Sequence, residues 1–177
     1  MTKYTVAMAT FDDYDGVFFT IQALRMYHDM ADCEIVVLDN NPNGPHSTDL
    51  RNFINNVGGY ATEGGMNDKV VEYLKRANAS GAIPIRYHTI SHGTGTSTTR
   101  HELFNLAQGE LVIVMDCHIL LQTGAIKKMK AFWEQADPEM RKNMFTGPLL
   151  MDGLSFHQSH FECVWRSEMW GTWATAW

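Results

Sequence analysis

Two short apolar runs, Ile35-Val36-Val37-Leu38 and Leu111-Val112-Ile113-Val114-Met115, each stop abruptly on an aspartate, Asp39 and Asp116. A continuous apolar run of this length suits a strand buried on both faces, which is the situation in parallel sheets covered by helices. The polar stop then marks the carboxyl end of the strand, the edge of an open α/β sheet at which ligands bind.

Neighbouring segments supply the rest of such a sheet. Lys3 to Thr10 alternates and is bounded by Asp12-Asp13, which predicts a first strand. Val17, Phe18, Ile21 and Leu24 recur at helical spacing until Asp29, with Asp15 as the expected cap. Glu34 to Leu38 is the second strand, and Asp39-Asn40-Asn41-Pro42-Asn43-Gly44 is turn chemistry throughout. Strand, helix, strand implies a parallel pair with a right-handed crossover. Helices are expected over Thr48 to Val57 and Asn67 to Ala79, and a strand over Ile83 to Tyr87. A polar loop with glycines, Ser91 to Ser97, leads into a helix from Thr98 to Ala107 that stops at Gly109. After the strand Glu110 to Met115, Thr123 opens an amphipathic helix, Gly124 to Gln135, which Asp137-Pro138 breaks. The alternation predicts an α/β fold with a mostly parallel sheet.

Composition narrows the partners. With 177 residues, 45% of them hydrophobic and 19% charged, the chain has the size and apolar content of one folded domain. Lysine and arginine total 14 against 20 acidic residues, a net charge of −6, and no basic block occurs, so neither nucleic acid nor an anionic membrane is an expected partner. No apolar stretch approaches the ~20 residues of a spanning helix. Met1 to Val6 reads straight into a strand rather than into a leader, which makes the cytoplasm the expected location. Cys33, Cys117 and Cys163 form no Cys-x-x-Cys pair and are expected to be buried free thiols.

The strand ends carry the candidate chemistry. On an extended backbone Asp116 and His118 point the same way, so carboxylate and imidazole can converge on one divalent cation while Cys117 faces the core. Imidazole moves the preference from all-oxygen Mg²⁺ sites toward an ion such as Mn²⁺. The same spacing equally describes a strand-terminal Asp capping the next turn with a solvated His beside it. Asp39 can accept from a base N–H, or close an Asx turn. Gly93 to Ser97, followed by a helix carrying Arg100, can offer backbone N–H groups and a guanidinium to a diphosphate. No Gly-x-Gly-x-x-Gly follows the first strand and no Gly-Lys-Ser/Thr occurs, which argues against a dinucleotide fold and a P-loop.

Taken in order, Val6-Ala7-Met8-Ala9-Thr10-Phe11 with Asp13, Glu34-Ile35-Val36-Val37-Leu38-Asp39-Asn40, and Arg100 with Ala107-Gln108-Gly109-Glu110 leading into Met115-Asp116-Cys117-His118 resemble the nucleotide-binding half of a GT-A glycosyltransferase of the family 2 type. The resemblance spans roughly Lys3 to Trp133. It implies a Rossmann-like, three-layer fold with a mostly parallel central sheet, in one domain lacking part of the acceptor half: residues 1–133 for the nucleotide sugar and 144–177 on the acceptor side. It implies a hexosyltransferase-like enzyme that moves a sugar from a UDP- or GDP-linked donor to a carbohydrate or other hydroxyl acceptor. By the same resemblance Thr10, Phe11, Asp13, Asp39, Arg100 and Asp116 bind the nucleotide. Asp116 and His118 would hold Mn²⁺ or Mg²⁺, in an Asp-x-His variant of the family's Asp-x-Asp. His101 and Leu103 depart from the Asn and Gly usual after that arginine.

Beyond Trp133 the chemistry thins. His157 and His160, one helical turn apart, are candidates for a further metal ligand, and Asp152, Glu162 and Glu168 for the base that deprotonates the acceptor. Trp165, Trp170, Trp173 and Trp177 suit either a sugar-stacking wall or a self-association surface. Without a base, the alternative is a nucleotide-sugar-binding module with no turnover.

Overall fold

In the computed structural model, residues 2–90 and 95–147 are described with their side chains, together with the backbone of four strands between 149 and 174. The chain divides into two compact units, residues 1–134 and 135–177. The first is an α/β unit with a five-stranded parallel sheet in the order β3-β4-β2-β1-β5. Its strands are β1 (Tyr4–Thr10), β2 (Cys33–Asp39), β3 (Tyr60–Ala61), β4 (Ile85–Thr89) and β5 (Leu111–Asp116). Its helices are α1 (Tyr14–Tyr27), α2 (Ser47–Asn56), α3 (Asp68–Ser80), α4 (Thr96–Leu106) and α5 (Ala125–Gln135).

The apolar runs are buried because both faces of the sheet are covered. One face, with Val6, Met8, Ile35, Val37 and Tyr87, packs against Val17, Ile21 and Leu24 of α1, Leu50 and Ile54 of α2 and Ile126 of α5. The other, with Ala7, Val36 and Leu38, packs against Leu103 and Leu106 of α4. Each fully buried aliphatic side chain is worth about 1.5–3 kcal/mol, so the two layers fix which way every strand residue points.

The second face also encloses charge. Glu34 and Arg86, both fully buried, form an ion pair with Arg86 Nη2 2.8 Å from Glu34 Oε2. Glu34 Oε1 accepts from Thr5 Oγ1 and from the Gln108 N–H, both at 2.7 Å, and Arg86 Nη2 donates to Leu106 O. Glu34 therefore belongs to the strand as a paired charge, where the apolar reading of that segment gave it no role. Gly109 follows from the same network. Its N–H donates to Thr5 Oγ1, and a Cβ there would lie 2.5 Å from the Tyr4 carbonyl carbon, so glycine is required by close backbone approach. It does not end α4, whose C-cap is Ala107.

Other boundaries shift slightly. The fourth strand runs later than expected and the short β3 was not anticipated, while α3 opens on the Asn67 side chain, which accepts from Val70 N–H, and closes on left-handed Gly81. Asp13 rather than Asp15 caps α1, its Oδ1 accepting from Gly16 N–H at 2.8 Å.

The second unit contains β6 (Leu149–Leu150), β7 (Phe156–Gln158), β8 (His160–Arg166) and β9 (Glu168–Ala174), paired antiparallel as β6-β7 and β8-β9. His157 and His160 therefore lie on strands, which removes the helical-turn spacing expected of them. The run Phe161-Glu162-Cys163-Val164-Trp165 is rich in the aromatic and β-branched types that favour a pleated strand, and Phe161 is in register with Trp173. Glu162 and Glu168 fall on β8 and β9; the side chains of these four residues, of Cys163 and of Trp165, Trp170 and Trp173, and the whole of Asp152 and Trp177, lie outside the described residues. Among the described residues no helix is long and apolar enough to cross a membrane.

Candidate functional site

From β1 the chain steps outward to β2 and on to β3, returns to β4, and then places β5 on the opposite side of β1, so the strand order reverses at the β1–β5 pair. Crevices at the carboxyl ends of strands at such a reversal are where open α/β sheets bind ligands. The β1 loop (residues 11–13), the β2 turn (residues 40–44) and the β5 turn (residues 117–119) all leave the sheet at this edge.

The first two are tied together. Thr10 and Asp39 are register partners, Asn40 N–H donates to Thr10 O at 2.9 Å, and Asn41 Nδ2 donates to Asp12 Oδ2 at 2.6 Å. Asp12 adopts a left-handed backbone (φ 54°), which Asp tolerates better than most residues. This kink leaves Phe11 63% exposed while Thr10 is buried. Asp39 is only 1% exposed. Its Oδ1 accepts from Asn41 N–H at 2.8 Å, the Asx turn its setting suggested, and its Oδ2 accepts from the Tyr87 hydroxyl, which Ser47 also contacts. Burial and the Asp39 carboxylate push the Tyr87 hydroxyl up to about 12. Tyr87 and Ser47 were not legible as parts of this edge, because their contact depends on how α2 lies over β4.

The strand alternation that would set Asp116 and His118 side by side does not continue through them. β5 ends at Asp116, and a turn follows in which Ile119 N–H returns to Asp116 O at 3.3 Å. Thr20 of α1 pins that turn by donating to Cys117 O at 2.7 Å. The two side chains consequently find separate partners. Asp116 Oδ1 pairs with Arg100 Nη2 at 2.8 Å, both about half exposed. His118 Nδ1 lies 3.0 Å from Asp13 Oδ2. Asp116 and His118, the pair that the resemblance implies for Mn²⁺ or Mg²⁺, thus have different side-chain partners here.

A different group is. Asp13 Oδ2, Cys117 Sγ and His118 Nδ1 lie mutually close, with Cys117 Sγ 3.4 Å from Asp13 Oδ2 and 3.9 Å from His118 Nδ1. Cys117 is buried against the core, as expected, and burial pushes its thiol up to about 12. For Asp13, burial works to raise the carboxyl, but bonds from His118, Gly16 N–H and Cys117 outweigh it and hold the group below its ordinary value. Gly16 permits this arrangement: a Cβ there would lie 2.4 Å from Asp13 Oδ2.

Of the expected diphosphate loop, residues 91–94 lie outside the described residues; α4 starts at Thr96 with Gly95 at its cap and no side-chain cap bond. A cleft of about 680 Å³ opens beside this edge, past the ends of β2 and β4, lined in part by Leu38, Arg51, Glu63, Ile90 and Glu102. Among the described residues, Thr10, Phe11, Asp13, Asp39, Arg100, Asp116 and His118 do not line it. Arg51 pairs there with Glu63 at 2.8 Å.

No protein-family model matches the chain, and no curated protein matches it. Among solved structures, the chain is similar to TarS of S. aureus. The 1–349 fragment superposes with a TM-score of 0.47 and 14% identity over 76% of this chain and 33% of that one. The same fragment in complex with UDP-GlcNAc gives a TM-score of 0.48 at 14% identity, over 76% and 32%. A further TarS structure gives 0.47 and 14%, over 76% and 20%. The chain thus spans about a third or less of the length of these structures.

Proposed function

We propose that the edge at the β1–β5 reversal binds a nucleoside diphosphate sugar, UDP- or GDP-linked, and that the protein is a glycosyltransferase passing the sugar to a hydroxyl acceptor. The observation that carries this reading is an exposed aromatic ring, Phe11, and an exposed guanidinium, Arg100, on segments bordering the reversal point. A base stacks on the first and a diphosphate pairs with the second.

Arg100 is held by Asp116 only loosely. A half-exposed ion pair is worth about 0–1 kcal/mol, whereas charge-assisted bonds to a phosphate are roughly twice as strong as neutral ones. A diphosphate therefore displaces Asp116 at little cost. Asp39 acts from beneath, fixing the turn through Asn41 and Tyr87. Transfer breaks the bond between the anomeric carbon and the β-phosphate oxygen and forms one to the acceptor oxygen, whose proton passes to a base. Arg100 offsets the charge that grows on the departing diphosphate.

A thermal-shift panel of nucleoside diphosphates tests the reading. Ligand at 100 times its Kd stabilises a protein by about 2.7 kcal/mol, which for a chain of this size raises Tm by roughly 5–10 °C. UDP or GDP is expected to do so and the free nucleosides to do so less. No shift with any nucleoside diphosphate contradicts the proposal. Release of nucleoside diphosphate from a sugar nucleotide with acceptor present tests the transfer step; binding without release reduces the protein to a nucleotide-sugar-binding module.

A further inference from the structure

We infer that Asp13, Cys117 and His118 form a site for a thiophilic divalent cation such as Zn²⁺ or Co²⁺. The inference does not rest on the nucleotide-sugar reading, since it concerns binding of the metal alone. It starts from the turn after β5, which ends the strand alternation at Asp116 and delivers Cys117 and His118 to the cap residue of α1.

The spacing suits a tetrahedral ion. With metal–ligand distances of about 2.0–2.3 Å, the donor atoms of a tetrahedral Zn²⁺ site lie about 3.3–3.6 Å apart. Here the O···N, O···S and S···N separations are 3.0, 3.4 and 3.9 Å, so small side-chain movements turn the trio into one face of the tetrahedron. The donor set is carboxylate, thiolate and imidazole, which selects Zn²⁺ or Co²⁺ over the oxygen-seeking Mg²⁺ and Mn²⁺. The fourth position is left to water or an added ligand, the pattern of open rather than closed zinc sites.

The frame around the trio is firm. Asp13 is anchored through its other oxygen to Gly16 N–H, and Thr20 fixes the Cys117 carbonyl. His118, with a side chain 64% exposed, leaves the approach open. On binding, Cys117 gives its S–H proton to solvent as the S–metal bond forms. His118 would bind through Nδ1 as the tautomer that carries its proton on Nε2. The ligand set then carries two negative charges against the two positive charges of the ion.

Titrating Co²⁺ into the metal-free 177-residue chain tests this without nucleotide. The wild type is expected to take up one Co²⁺ with the intense ligand-field bands of a tetrahedral ion and a thiolate-to-cobalt charge-transfer band, both bleached by Zn²⁺ and unaffected by excess Mn²⁺. Cys117→Ser is expected to lose the charge-transfer band, and His118→Ala to weaken Co²⁺ binding by more than about tenfold, the lower end of what even outer-shell partners contribute. Cys33→Ser and Cys163→Ser are expected to keep the band. Because Cys117 is buried, far-UV circular dichroism follows each variant, and the exposed His118→Ala provides a test that does not disturb the core. Absence of the charge-transfer band in the wild type, its survival in Cys117→Ser, or unchanged affinity in folded His118→Ala would overturn the inference. A nucleoside diphosphate shift without the cobalt bands refutes this site and leaves the proposed function standing; the converse result does the reverse.

Discussion

His88 lies wholly inside the sheet, with Nδ1 2.9 Å from Gly64 O and Nε2 3.0 Å from Arg86 Nη1. Burial first, and then the Arg86 charge, push its pKa down to about 4, while the unfolded chain titrates it near the ordinary ~6.5. As pH falls, the unfolded state takes the proton first. The stability due to the neutral ring is therefore complete above about pH 6.5 and is lost progressively toward pH 4. Linkage gives a loss of about 2 kcal/mol between pH 7 and pH 5. Unfolding free energies from urea curves at the two pH values are expected to differ by that amount more in the wild type than in His88→Gln. An equal pH dependence in both would show that the ring is protonated without penalty in the fold.

At the scale of elements, the start of α1 sets a helix preference against a site. Gly16→Ala gains up to about 1 kcal/mol of helix propensity, and it displaces the Asp13 carboxylate, whose capping is worth about 0.5–2 kcal/mol. The terms nearly cancel, so Tm is expected to move little while the contact between Asp13 and His118 is lost and Co²⁺ binding with it. A variant that keeps wild-type Co²⁺ affinity would show that the capping geometry does not hold the site. The strand network has no such offset. Arg86→Met leaves Glu34 buried and unpaired, a change expected to cost about 3–5 kcal/mol in a denaturation curve; a loss under about 1 kcal/mol would mean the pair contributes nothing to folding.

These elements also mark how much was legible in the sequence. The strands and most helices were readable because apolar runs and helical spacing are local properties, and the layers follow from them. The pairing of Glu34 with Arg86, and the contact of Tyr87 with Asp39, join residues 52 and 48 positions apart, and no local pattern announces such partners. Strand alternation holds only while the strand lasts, and β5 stops at Asp116, so spacing alone could not place His118 beside Asp13. The first aspartate pair reads as a boundary, yet Asp13 is a cap whose second oxygen meets Cys117 and His118 of the β5 turn.

At the scale of the molecule, the proposed ligand site is the edge at the β1–β5 reversal, with Arg100 as the group that receives the diphosphate. Calorimetric titration of UDP and GDP into the wild type, Phe11→Ala, Arg100→Ala and Asp116→Asn tests this most directly. Hydrogen bonds to charged groups are worth about 1.5–3 kcal/mol, so Arg100→Ala is expected to weaken binding by about 10–100-fold. Phe11→Ala is expected to weaken it less, and Asp116→Asn, which releases the guanidinium, to leave affinity unchanged or raised. Wild-type affinity in Arg100→Ala, or loss of binding in Asp116→Asn, would contradict the account.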